Sequence, residues 1–206
     1  IIDRQQYGWE EFVSQLPCTS KLEVQKYYLR SGALLCLLYF LGAADFHHEN
    51  LVAAGEQPIL VDLETLMHPR VDWVQNESEN TDAESLVIGQ VFDSVLSTGL
   101  LPRWNFQEDG SPPFDVSGLG GTSKGQTAYR KVKWKQINSD MMHSTLEAMP
   151  VELQANTVIL NGQIQTASNY IEELVSGFSK QYHFLIKHKT DLLAANGPLS
   201  LFEDKF

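Results

Sequence analysis

Between Asp45 and Glu64 the chain gathers carboxylates, imidazoles and an amide in a pattern suited to phosphoryl transfer. Asp45-Phe46-His47-His48-Glu49-Asn50 packs five polar or titratable residues into six positions directly after an apolar run over residues 33–44, and Asp62-Leu63-Glu64 follows. Asn50 offers a carbonyl oxygen and Asp62 a carboxylate, hard donors suited to a Mg²⁺ ion that also takes phosphate oxygens and water. Asp45, outside such a metal shell, could orient a hydroxyl and accept its proton. Ionisable groups crowded beside an apolar helix are costly unless they share a task or a metal.

Asp45 and Asn50 stand at the D-x-x-x-x-N spacing of protein-kinase catalytic loops, where a metal-binding Asp follows on a later turn. The match is partial, because Ala43-Ala44 stands in place of His-Arg and Asp62-Leu63-Glu64 in place of D-F-G. Spacing alone leaves open that Asp45 caps a loop and Asp62 ends a strand. His47 and His48, with Glu49 and the nearby His68, could be read as zinc ligands, but the helical H-E-x-x-H spacing is missing and no Cys joins them. Beside Asp45, His47 reads as an orienting or proton-handling group or as a satisfied loop histidine. A metal-dependent phosphohydrolase using Asp45, His47, His48 and Asp62, and a kinase-like peptide-binding module without turnover, are the rival functions.

The elements that must position these residues follow from periodicity. Val24, Tyr27, Tyr28, Leu34, Leu35, Leu38 and Leu41 recur at helical spacing and lead into the apolar run, so a central buried helix is expected to end at Asp45. Residues 51–54 and 59–61 are short apolar runs around Gly55-Glu56-Gln57-Pro58, which reads as a β-hairpin. Its two strands would set Asn50, at the entrance, beside Asp62, at the exit. A long helical pattern covers residues 167–195 and stops at Asn196-Gly197-Pro198. Residues 75–85 and 107–125 read as loops, the second like an activation segment. Its glycines (Gly118, Gly120, Gly121, Gly125) do not hold Lys124 in phosphate-loop register. Tyr7, Trp9 and Trp104 read as packing residues and Cys36 as core. The whole is expected to be an α+β fold without internal repeats.

The 206 residues carry 43% hydrophobic content, enough for one core, and a net charge of −11, which disfavours nucleic acid or an anionic membrane as partner. Lys131, Lys133 and Lys135 alternate on one face of an expected strand, favoured as a solvated edge over a phosphate-binding one. The longest apolar run is too short to span a bilayer. Cys18 and Cys36 make neither a disulfide framework nor a zinc quartet, so a cytoplasmic location is the default. A first residue of Ile1 and a last of Phe206 suggest a piece of a longer polypeptide.

Beyond single motifs, an ordered string runs the length of the chain. It comprises Tyr7-Gly8-Trp9-x-x-Phe12-Val13, Tyr28-x-Arg30-x-Gly32, Asp45-x-His47-x-Glu49-Asn50, Gly55-Glu56-x-Pro58 and Asp62-Leu63-Glu64-Thr65-Leu66, then Thr98-Gly99-Leu100-Leu101-Pro102, Ser117-Gly118-Leu119-Gly120 and Gly177-Phe178-x-x-x-Tyr182. It resembles the dehydratase domain of class II (LanM-type) lanthipeptide synthetases. That resemblance implies a lipid-kinase-like core with a mostly helical C-lobe and a β-hairpin at the active site. It also implies ATP- and Mg²⁺-dependent phosphorylation of Ser or Thr in a precursor peptide, then phosphate elimination to dehydroalanine or dehydrobutyrine. By motif, Asp45, His47 and Glu64 fall on catalytic positions, and Asn50 and Asp62 on those that hold metal and nucleotide. The family's nucleotide-contacting Lys is expected upstream of Ile1, and an Arg/Thr pair tied to elimination, with a zinc cyclase domain, after Phe206. The 206 residues alone are therefore expected not to dehydrate a peptide.

Overall fold

In the computed structural model, residues 2–3, 6–67, 90, 93–106, 113–121, 128–150 and 154–202 are described. His68, the loop expected over residues 75–85 and part of that over 107–125, including Lys124 and Gly125, lie outside them. Strands β1 (Ile2–Asp3) and β2 (Gly8–Trp9) pair antiparallel, and helix α1 (Lys21–Phe40) follows. Its start is written locally: the Ser20 hydroxyl accepts from Glu23 N, and the Glu23 carboxylate reaches back to Thr19 N at 2.6 Å. That is a variant of the S-x-x-E capping signal.

Helix α1 buries Val24, Tyr27, Tyr28, Leu35 and Leu38 on its inward face. Its last turn departs from the expected all-round burial, because Tyr39 and Phe40 are exposed. The helix closes with Leu41 N donating to Leu37 O, and Gly42 turns the chain at φ 62°, a conformation that a Cβ would strain.

Strands β3 (Leu51–Ala54) and β4 (Gln57–Leu60) form the expected hairpin, with a tighter turn than expected. Ala54 pairs with Gln57, leaving only Gly55-Glu56 between them, and Gly55 takes φ 60°. Positive φ at the first central position is what a type II′ turn asks of glycine. Strands β5 (Ala128–Lys135) and β6 (His143–Pro150) make a second hairpin, and β7 (Val158–Leu160) and β8 (Gln163–Gln165) a third. On β5, Lys133 and Lys135 meet Glu147 of β6 at 3.5 and 2.5 Å, so the lysine face carries its own counterion and reads as a solvated strand.

The helical pattern over 167–195 resolves into three pieces rather than one helix. A 3-10 turn (Ala167–Asn169), α2 (Ile171–Lys187) and short α3 (Lys189–Leu192) are separated by Tyr170 at φ −135° and His188 at φ −102°, both outside helical geometry. Helices α1 and α2 cross at two glycines. A Cβ on Gly32 would lie 2.0 Å from Leu174 O, and one on Gly177 1.8 Å from Leu29 O, so the two backbones touch where these residues sit.

Tyr28, Arg30 and Gly32, close together on α1, thus go to three neighbours. Tyr28 stacks on Tyr170 with ring centroids 4.9 Å apart and donates to Gln165 O at 2.8 Å. Arg30 Nη1 donates to Glu56 O at 2.7 Å and pairs with the Glu56 carboxylate at 2.9 Å, while Lys26 reaches that carboxylate at 2.9 Å. Helix α1 therefore grips the hairpin turn with two cations.

Hydrogen bonds from Lys26 and Arg30 hold the Glu56 carboxyl below its ordinary value of 4.5. A carboxyl whose pKa falls on folding adds stability above the unfolded value and loses it as pH drops through the folded one. Glu56→Gln should therefore lower the thermal midpoint slightly at neutral pH, and the gap to wild type should close below pH 4.5. Thermal unfolding of both proteins across that range checks it; a gap that widens in acid would refute the assignment.

Cys36 is buried in the core as expected, and Cys18 is buried too, its thiol donating to Gly55 O at 3.3 Å. Burial pushes both thiols above their ordinary pKa. Tyr7, Trp9 and Trp104 are exposed rather than packed, a correction to the sequence expectation. The expectation failed because aromatic residue type carries a burial tendency but says nothing of which surface meets it.

Candidate active site

Burial of Phe46, 1% exposed, anchors the loop between α1 and β3 and turns its polar neighbours outward. Phe46 N donates to Thr98 O at 2.9 Å, and Thr98 itself is buried in the 3-10 turn Val95–Thr98. Gly99 follows at φ 76°, where a Cβ would come within 3.1 Å of Phe46 N. Gly118 approaches the same segment from the other side, its absent Cβ 2.7 Å from Phe46 O. Two motif glycines thus clamp one phenylalanine backbone.

Just before it, Asp45 takes φ 63°, the left-handed region that non-glycine residues enter at a cost. What holds it there is visible in its carbonyl, which accepts from His47 N at 2.9 Å and from Asn50 Nδ2 at 3.0 Å. The Asn50 amide therefore closes the D-x-x-x-x-N loop on itself and leaves Oδ1 as an acceptor. Thr65 Oγ1 donates to Ala44 O, tying the Asp62-Leu63-Glu64-Thr65 segment to the same turn.

The hairpin register delivers the next residue as expected. Leu51 pairs with Leu60, and Val61 N donates to Asn50 O at 3.2 Å, so Asp62 follows directly on the residue opposite Asn50. Asp62 Oδ1 accepts from Glu64 N at 3.1 Å, fixing the carboxylate at the strand exit. Glu64 joins the arrangement through that backbone amide, and its side chain is exposed.

Both histidines are oriented. His47 Nδ1 accepts from Glu49 N at 3.2 Å, which leaves Nε2 as the protonated nitrogen of the neutral ring. His48 Nδ1 donates to Val116 O at 2.9 Å and its backbone N to the same oxygen at 2.8 Å, so His48 fastens the loop to the 113–121 segment. Among the described residues no three His, Cys, Asp or Glu side chains converge to hold a metal, and His68 of the zinc reading lies outside them. Asn50 Oδ1 and the Asp62 carboxylate are hard oxygen donors of the type that Mg²⁺ takes together with water and phosphate.

Asp45 and His47 line one small cavity of about 130 Å³ with Arg103, Asn105 and Ser117, closed by Leu96 and Leu101. Sequence reading overlooked Arg103, Asn105 and Ser117 as site residues. Arg103 immediately follows the Leu100-Leu101-Pro102 string, which was the available signal. Ser117 is set by Asp115, whose Oδ1 accepts from Ser117 N at 2.9 Å and Oγ at 2.7 Å.

Gly118 and Gly120, which follow it, serve close approach. Gly118 N donates to Gly99 O, Leu119 N to Leu100 O and Gly120 N to Ser117 O, so these amides are already spent. Buried Asn156 accounts for their carbonyls, donating to Gly118 O at 3.0 Å and Gly120 O at 2.9 Å.

The family model described as "Domain of unknown function (DUF4135)" matches residues 1–205. Among curated proteins, the chain is similar to the lacticin 481/lactococcin biosynthesis protein LcnDR2 of Lactococcus lactis subsp. lactis, 30% identical over 199 residues. That alignment covers 93% of this chain and 20% of LcnDR2, so the chain spans about one fifth of its relative's length. Among the described residues no helix is long and apolar enough to cross a membrane. With a family model matched across essentially its whole length and the ordered motifs of its sequence agreeing, the chain belongs to the DUF4135 family and is of the LanM type.

Proposed function

We propose that this chain is the catalytic centre of a lanthipeptide dehydratase with a kinase-like core, which uses Mg·ATP to dehydrate Ser and Thr of a precursor peptide. The observation that supports it most is the loop closed by Asn50 Nδ2 on Asp45 O, with Asp62 brought alongside by the hairpin. In this reading Asp45 accepts the proton of the peptide hydroxyl as its oxygen attacks the γ-phosphorus of ATP, and the bond to the leaving ADP breaks. Loss of the α-proton and cleavage of the Cβ–O bond then expel phosphate and leave the dehydroamino acid. Asn50 Oδ1 and the Asp62 carboxylate would hold Mg²⁺, which neutralises charge on the transferring phosphoryl group. His47, its ring fixed by Glu49 N, orients or relays the proton next to Asp45. Glu64 supports Asp62. The partners are the precursor peptide and a cyclase domain of the same polypeptide. A relative named for lacticin 481/lactococcin biosynthesis favours peptide modification over a metal-dependent phosphohydrolase.

The test uses the intact polypeptide carrying this sequence, Mg·ATP and its cognate precursor, followed by peptide mass. Asp45→Asn keeps the left-handed turn, which Asn tolerates, and should bind ATP as wild type does while transferring phosphate about 10²-fold more slowly or worse. Equal losses in nucleotide affinity and turnover would remove Asp45 from the role of hydroxyl-activating base.

A further inference from the structure

Asn156 is 4% exposed and holds the turn whose first residue, Ser117, lines the Asp45 cavity. Its amide spends both N–H groups on that turn, one on Gly118 O and one on Gly120 O. Its Oδ1, equally buried, meets no hydrogen-bond donor among the described residues. A buried acceptor without a partner is a cost to folding. Turning the amide over would set Oδ1 against two carbonyl oxygens, so this side chain is held in place for its two donors. Ionised Asp, of the same shape, offers none, and Ser offers one.

The backbone on either side of Asn156 is fastened elsewhere. Ala53 N donates to Ala155 O at 2.8 Å, and Ala53 lies on β3, the strand that runs out of the Asp45–Asn50 loop. Gln15 Nε2 donates to Thr157 O at 2.6 Å and to Thr157 Oγ1 at 3.0 Å. The turn, for its part, packs on the Asp45 loop: Gly118 approaches Phe46 O, and Val116 O accepts twice from His48. Asn156 therefore links the wall of the cavity to the strand that continues from the residues facing that wall. We infer that Asn156 is a positioning residue for phosphoryl transfer: by tying the Ser117–Gly120 turn to β3 it fixes the cavity wall opposite Asp45 and His47. The inference rests on the dehydratase reading and adds to it a residue that touches neither peptide nor nucleotide. Transfer depends on holding the hydroxyl in line with the phosphorus, so a wall displaced by about 1 Å costs about 10²-fold in rate.

The experiment uses the intact polypeptide, Mg·ATP and its cognate precursor. Asn156→Ala keeps no donor and Asn156→Ser keeps one, while Tyr28→Phe is the control, removing a hydrogen bond to Gln165 O away from the cavity. Assayed well below each thermal midpoint, Asn156→Ala should lower kcat for phosphorylation about 10²-fold, and Asn156→Ser less steeply. KM for ATP and for the peptide should stay as in wild type, and Tyr28→Phe should keep the wild-type kcat. Hydrogen exchange reads the tie without chemistry: the His48, Gly118 and Gly120 amides should exchange faster in Asn156→Ala, and those of α2 should not. An unchanged kcat, a KM that rises as kcat falls, an equal loss in Tyr28→Phe, or unchanged exchange would overturn the inference. If Asn156→Ala does not fold, Asn156→Ser carries the same tests. Wild type that never phosphorylates the peptide, with exchange altered as expected, would instead defeat the dehydratase reading and leave Asn156 as the tie of a site with another chemistry.

Discussion

Asp62→Asn in the intact polypeptide should cut peptide phosphorylation by about 10²- to 10³-fold, the scale on which losing one preorganised charge-stabilising group slows catalysis. The substitution is nearly isosteric, and an Asn Oδ1 can still accept from Glu64 N, so the hairpin exit keeps its shape. What disappears is the negative charge beside the Asn50 carbonyl. If that pair holds Mg²⁺, raising the Mg²⁺ concentration should return part of the activity, because weakened affinity is offset by mass action. Mass spectrometry of the precursor over a Mg²⁺ series, with thermal unfolding to confirm the fold, reads both effects. Wild-type modification at ordinary Mg²⁺ would sink the assignment.

The second large effect concerns the fold. Gly177→Ala should destabilise the protein by about 1–3 kcal/mol or more, lowering the midpoint by roughly 2–12 °C. Helix propensity alone calls for the opposite sign, since Ala exceeds Gly in a helix interior by about 0.5–1 kcal/mol. The contact decides. The added Cβ would lie 1.8 Å from Leu29 O and 3.0 Å from Ala33 N, both backbone atoms of α1 that cannot rotate away. Helices α1 and α2 would have to separate, and α1 is the helix that ends at the Asp45 loop. Gly8→Ala is the control, because its Cβ would meet only Ile2 O at an ordinary 3.5 Å. Paired thermal unfolding settles the sign; a stabilised Gly177→Ala would mean the helices do not cross as closely as these backbones indicate.

How far each feature could be read in advance depended on how local its cause was. The hairpin was legible because two apolar runs and a Gly-containing turn lie within ten residues. Antiparallel geometry then brought Asn50 and Asp62 to the same end of the hairpin, whereas the exact register, with Val61 opposite Asn50, came from a two-residue turn where the sequence had suggested four. The start of α1 has an equally local cause in its capping residues, which the apolar spacing, beginning at Val24, did not bring out. The break in the helical pattern at His188 was not, since the apolar spacing continues through it and only backbone angles record the interruption.

By itself the sequence determined the family, the order of the motifs and which side chains in residues 45–64 can carry charge, donate or coordinate. These are matters of residue type and short spacing, and they survive any uncertainty about what packs on what. Only the tertiary structure decided why Arg30, Gly32, Glu56 and Gly177 belong to one string. Arg30 closes on Glu56 from across the hairpin, and Gly32 and Gly177 let two helix backbones touch although 145 positions separate them in the chain. Arg103 and Ser117 likewise reach the Asp45 cavity only because Gly99 and Gly118 press their segments onto Phe46. Contacts of that range depend on how whole elements are placed, and the same residues could have been satisfied by many partners. A single chain of letters carries no signal that chooses among them.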